Sequence, residues 1–134
     1  MRILVATSGP VPARDKASYI VNIAKRLGAE LIALHVVLDE SQKEGGEESL
    51  NIFSEAGQKA QVKVTKVQKK GDVVSTIIET AEEKSAHLII MGTSQGKVVA
   101  EWISADAMSK TTIPVLVVPR REFLDPRQSL GLIG

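Results

Sequence analysis

The chain has 134 residues, 43% of them hydrophobic and 25% charged, with 17 basic residues against 16 acidic ones and a net charge of +1. A chain of this length forms one globular domain that buries about two thirds of the surface its unfolded form exposes, and its near-zero charge, with one Trp, one Tyr and two Phe, lacks the basic stripe and stacking aromatics of a nucleic-acid binder. The lack of cysteine excludes disulfides, thiolate zinc sites and cysteine nucleophiles; with no run of about 18 apolar residues and an apolar strand at the very start, no membrane association and a cytoplasmic location are expected.

Arg2 to Ala6 is a compact apolar strand, followed by the turn-rich Thr7, Ser8, Gly9, Pro10, Val11 and Pro12, where the two prolines are expected to hold the loop extended. From Ala13 the period becomes helical: Ala17, Ile20, Val21, Ala24 and Leu27 share one face, while Arg14, Asp15, Lys25 and Arg26 face away. Gly28 supplies a left-handed stop. Leu31 to Leu38 is nearly continuous in apolar residues and reads as a central parallel strand. Asp39 to Glu48 is rich in Glu and Gly and is expected to be a mobile surface loop, with a second helix from near Glu47 to Ala56, anchored by Leu50 and Phe53 and interrupted by Gly57.

Val62 to Val67 alternates at period two with one charged face, as an edge strand does. Gly71-Asp72 ends it, and Asp72 is suited to cap a helix whose inner face is Val74, Ile77, Ile78 and Ala81. Leu88 to Met91 and Val115 to Val118 are short apolar runs that read as strands buried on both faces. Between them, Val99, Ile103, Ala107 and Met108 recur at helical spacing over Val98 to Lys110. The order β-α-β-α-β-α-β-α-β predicts a doubly wound, three-layer α/β/α sandwich with a five-stranded parallel sheet and about four helices. This domain spans residues 1–119. The tail, 120–134, has no periodicity and is expected to be disordered or packed on a partner through residues such as Phe123, Leu124 and Ile133.

Catalytic patterns fail on spacing. Gly92, Thr93, Ser94, Gln95, Gly96, Lys97, Val98 has three residues between its glycines where a P-loop needs four, and Val98 stands where a metal-binding hydroxyl is required. No Gly-X-Gly-X-X-Gly follows the first strand. His35 and His87 lie in or beside apolar strands and read as structural rather than as a base or metal ligands. Ser8 and Ser94 lack a nucleophile-elbow context, and Asp72 with Glu79, Glu82 and Glu83 reads as a cap and a solvated helix face, so no catalytic residue and no metal site are expected. What the pattern does offer is a glycine loop at the carboxyl end of a parallel strand, where backbone amides and a helix N-terminus accommodate an anion.

The strand RILVATSG, the helix end AKRLGAEL, the strand LIALHVV, the join KKGDVVSTIIETAEEKSAHLIIMGT and the ending IPVLVVP together resemble the universal stress protein family over nearly all of the chain up to Pro119. The resemblance implies the adenine nucleotide alpha hydrolase-like sandwich of that family and a homodimer through the Val115–Val118 strand. Its ATP-binding members typically carry Gly-X-X-Gly, nine residues, then Gly-Ser or Gly-Thr. Here Gly96 comes one place late, Glu101-Trp102 stands at the position of the final pair, the loop is about four residues short, and Ser8 replaces a usual Asp. The implied candidate nucleotide or anion site is Thr7, Ser8, Val37, Gly92, Thr93, Ser94, Gly96 and Lys97, with ATP or a phosphate-like anion as its ligand and Val37 contributing backbone contacts to adenine. The expected function is a non-catalytic regulatory or interaction domain in stress response with weak or absent ATP binding. The alternatives are an ATP- or AMP-binding member using the altered loop and, last, a nucleotide-processing enzyme.

Overall fold

The computed structural model describes residues 1–92 and 105–118. In chain order the elements are β1 (Arg2–Thr7), α1 (Pro10–Arg26), β2 (Glu30–Val37), a 3-10 turn (Glu40–Gln42), α2 (Lys43–Ala60), β3 (Val64–Lys70), α3 (Val73–Glu83), β4 (Leu88–Gly92) and β5 (Val115–Val118), with a helical stretch at 105–110 before the last strand. All strand pairings are parallel and the order across the sheet is β3-β2-β1-β4-β5. The chain therefore winds outward from β1 in one direction to β3, then crosses to β4 and β5 on the other side, and the crevice between β1 and β4 is the topological switch point.

Period-two alternation splits the sheet between two cores. Ile3 and Val5 of β1, Leu31 and Ala33 of β2 and Ile90 of β4 pack under α1 and α2, against Ile20, Val21, Leu50 and Phe53. Leu4, Ile32, Leu34 and Ile89 point the other way, under Ile77 and Ala81 of α3. A smaller cluster joins Val74 and Ile78 of α3 to Ala107 and Val115. Each fully buried Ile or Leu contributes about 1.5–3 kcal/mol by leaving water. Asp72 caps α3, accepting a hydrogen bond from the Ser75 amide at 3.1 Å, and Gly28 takes a φ of 64° just beyond α1.

Several local expectations are corrected. Leu27, expected on the inner face of α1, lies just past its end and is 49% exposed. Pro10 and Pro12 lie inside the first turn of α1 rather than in an extended loop, since a helix start needs no amide donor there and favours the proline φ. Asp39–Glu48 is not a loop: Asp39 caps the 3-10 turn, and α2 runs unbroken from Lys43 through Gly45, Gly46 and Gly57 to Ala60. β5 is not buried on both faces, because it lies at the sheet edge with Leu116 43% and Val117 36% exposed. Met108 is 61% exposed, leaving Ala107 as the inward residue of its turn. β3 is the opposite edge, as its charged pattern predicts, though it begins at Val64. The glycine loop beyond Gly92, the start of the following helix and the tail from Pro119 lie outside the described residues. Among the described residues no helix is long and apolar enough to cross a membrane.

Candidate functional site

A cavity of about 390 Å³ opens at the carboxyl ends of β1, β2 and β4. Its size lies within the range of about 300–1,000 Å³ usual for small-molecule sites, and its walls are mostly apolar, with Phe53, Ile77 and Met91 among them. The β1 end supplies Thr7 and Ser8, and the β4 end supplies Gly92. Thr7 is buried and its hydroxyl donates to the Gly9 carbonyl at 3.4 Å, which ties the short turn into α1. Val37 is buried in the sheet and its carbonyl accepts the Gly71 amide at 3.1 Å; its neighbours Val36 and Leu38 line the cavity instead. The amide of Leu38 donates to Oε1 of Gln42 at 2.7 Å. Thr93, Ser94, Gly96 and Lys97 lie outside the described residues.

Three contributors are absent from the sequence-derived set. Gln42 reaches the site because Asp39 closes the 3-10 turn by accepting from the Ser41 amide at 2.8 Å and from its hydroxyl; those bonds hold the Asp39 carboxyl below its usual range. In the sequence the sign of that turn is Asp39, whose side chain is suited to bond the backbone two residues on.

His35, on β2, is buried at 4% exposure and faces the cavity. Its Nδ1 lies 3.2 Å from Oε1 of Gln68 on β3, and the ring also bonds the backbone of Ser8. Burial holds its pKa below the ordinary 6.5, and the bonds to Gln68 and Ser8 oppose that shift without reversing it. The ring is therefore neutral near pH 7 and spans the ends of three neighbouring strands. Gly46 of α2 makes this possible: a Cβ there would stand 1.9 Å from Gln68 Oε1 and 2.3 Å from His35 Nδ1.

Lys16 is the third. It lies on the inward face of α1 with Ala13, Ala17 and Ile20, and is only 3% exposed. Its stem passes over the last residue of β4, so that a Cβ on Gly92 would stand 2.6 Å from Nζ. The signal was legible: a lysine at i+3 from Ala13 and i−4 from Ile20 interrupts an otherwise apolar helix face. Among the described lining residues it is the single lysine or arginine, and none is a carboxylate.

The sequence profile of the universal stress protein family matches residues 1–119. A universal stress protein of Methanocaldococcus jannaschii is 31% identical, the alignment covering 90% of this chain and 84% of that one. In fold, the chain is similar to a universal stress protein solved in complex with cAMP, with a TM-score of 0.72 at 18% identity over 90% of this chain and 97% of the other. It is similar also to the universal stress protein from Archaeoglobus fulgidus solved in complex with dAMP, with a TM-score of 0.70 at 18% identity over 87% and 96%. With its strand order, its switch-point cavity and its match over residues 1–119, the chain belongs to the universal stress protein family.

Proposed function

We propose that the chain is a non-catalytic regulatory or interaction domain of the stress response, cytoplasmic and homodimeric, whose cavity binds ATP weakly. The observation that carries this reading is the composition of the cavity wall: among its described residues Lys16 is the single lysine or arginine that a triphosphate would meet. One charge-assisted hydrogen bond contributes about 1.5–3 kcal/mol, against about 8 kcal/mol for a micromolar complex. His35, the imidazole at the site, is engaged by Gln68 and by the Ser8 backbone, which suits a structural strut better than a general base. Isothermal calorimetry with Mg-ATP is expected to give a Kd of about millimolar or weaker, with no phosphate release over hours. A low-micromolar Kd overturns the weak-binding part of the proposal, and steady turnover overturns the non-catalytic part.

A second reading has its own support. The cavity is large enough for a small ligand, and the two fold neighbours described above hold cAMP and dAMP, both adenine mononucleotides. On this reading the site takes an adenosine-sized body with one phosphate, and regulation follows from occupancy rather than turnover.

A further inference from the structure

We propose that the open edge of β3 is a docking surface for an acidic, extended segment of a partner protein, which joins the five-stranded sheet as a further strand. This gives the interaction role proposed above a partner class and rests on that role; it is independent of what the cavity binds. Three observations support it together.

The first is the backbone. Among the described residues β3 has β2 as its only neighbour. The two strands run parallel in unbroken register, from Leu31 beside Val64 to Val37 beside Lys70. The bonds at either end fix which groups face inward: the Leu31 amide donates to the Lys63 carbonyl at 2.9 Å, and the Gly71 amide to the Val37 carbonyl at 3.1 Å. Successive residues of a strand turn their N–H and C=O to opposite sides, so Thr65, Val67 and Lys69 bond β2 while Val64, Lys66, Gln68 and Lys70 present theirs at the edge. A row of this kind is the template on which an added strand pairs.

The second is charge. β3 reads VTKVQKK, with no acidic residue, and Lys63 precedes it. Lys69 pairs with Glu83 at 2.9 Å and Lys63 approaches Glu30 at 3.9 Å. Lys66 bonds the uncharged side chain of Asn51 at 3.1 Å, and Lys70 makes no ion pair among the described residues, although the Asp39 carboxyl feels its charge. Lysines along an edge repel a like edge. A strand of opposite sign meets no such barrier, and opposite charges facing each other across strands stabilise the pairing.

The third is the placing of the charges. Side chains alternate along a strand, and the even-numbered ones lie toward α2: Val64 is against Gly57, Lys66 reaches Asn51, and Gln68 meets His35 and Gly46. Lys66 and Lys70 therefore stand on one face, while Val67 on the other packs against the apolar cluster under α3. The segment that fits has carboxylates at alternate positions on the α2 side and β-branched side chains on the α3 side.

The test is NMR on the nitrogen-15-labelled full chain with the peptide acetyl-Thr-Glu-Val-Glu-Val-Glu-Thr-amide. In the free chain the amides of Thr65, Val67 and Lys69 are expected to resist hydrogen exchange, and those of Val64, Lys66, Gln68 and Lys70 to exchange quickly. The peptide should protect the second set, and more at low salt than at high salt. A peptide with lysine in place of each glutamate is expected not to bind. Two peptides N-methylated at alternate residues, one in each phase, separate strand addition from mere attraction of charge: the phase that removes the donors facing β3 should bind about tenfold more weakly, and the other should bind as before. The double variant Lys66→Gln with Lys70→Gln, its fold checked by circular dichroism, should lose about tenfold in affinity for the unmodified peptide. Unprotected edge amides in the presence of the peptide, equal binding of the lysine peptide, or equal binding of both N-methylated phases overturns the proposal. Protection of the same amides in the free chain at high concentration, lost on dilution, assigns the edge to a second copy and overturns it too. None of these results bears on ATP affinity or phosphate release, so failure at this edge leaves the weak-binding, non-catalytic reading to its own test.

Discussion

His35 is the residue on which most of the site's geometry converges, because its ring links the strand that carries it to Gln68, to the Ser8 backbone and, through close approach, to Gly46. Burial is the larger influence on its titration and disfavours the imidazolium. The unfolded chain takes up this proton near 6.5 and the folded chain at a lower pH, so between those two values the unfolded state binds more protons. The His35 contribution to stability is accordingly complete above about 6.5 and is lost as pH falls through the folded pKa. An NMR titration of the His35 ring should give a midpoint below 6.5, and a midpoint at or above that value would contradict the buried, neutral assignment. Lys16 teaches a related lesson. A charged side chain on the inner face of a helix was visible in the spacing, yet only the position of Gly92 reveals where its ammonium ends.

At the scale of the element, α2 shows glycine acting by contact rather than by breaking a helix. Gly57 lies within its last turns, where a Cβ would stand 2.4 Å from Val64 Cγ2 and 2.8 Å from the Val62 carbonyl. Backbone cannot give way cheaply. Gly57→Ala is therefore expected to destabilise by about 1–3 kcal/mol through overpacking, although alanine is intrinsically better in a helix by about 1 kcal/mol. Gly45→Ala is expected to have the opposite sign, since its nearest contact would be Pro10 Cδ at an ordinary 3.8 Å, and should stabilise by about 0.5–1 kcal/mol. Urea unfolding of the two variants checks the pair; if Gly57→Ala proves the more stable, α2 does not pack on β3 this closely.

For the whole molecule, the open question is the last strand. Among the described residues β5 has a neighbour on one side only, and it exposes Leu116 and Val117. A short apolar edge of this kind exposes unpaired backbone groups beside greasy side chains, which is a template for pairing with another strand. A second copy related by a twofold axis would pair β5 antiparallel and cover both side chains. Light scattering at high micromolar concentration should give a dimer mass, and Val117→Lys should return a folded monomer, because the position is already solvated in one chain. A monomer mass for the unaltered protein would remove this interface. The β3 edge has another disposition: Lys63, Lys66, Lys69 and Lys70 lie along or beside it, and such charges discourage edge-to-edge association.

By itself the sequence determined the parts whose signals are local. Period and chain direction were enough for the five strands and for the parallel, doubly wound class, because uninterrupted apolar runs such as Leu31 to Leu34 and Leu88 to Met91 fit only strands covered on both faces. Asp72 and Gly28 announced a helix start and a helix end through their own chemistry, and both act there. Gly92 followed from the rule that parallel sheets bind ligands at their carboxyl ends, Thr7 and Ser8 from the family resemblance, and all three line the cavity. The tertiary structure alone decided what depends on meetings between distant residues. The glycines of α2 read as breakers until Gly46 is seen under His35 and Gln68 and Gly57 against Val64. The β5 run reads as buried until the strand order places it at an edge, and apolar composition carries no information about which strand ends the sheet. Lys16 and Gln42 joined the site because α1 and the turn after β2 are carried by packing to the same end of the sheet, a convergence that no local spacing encodes.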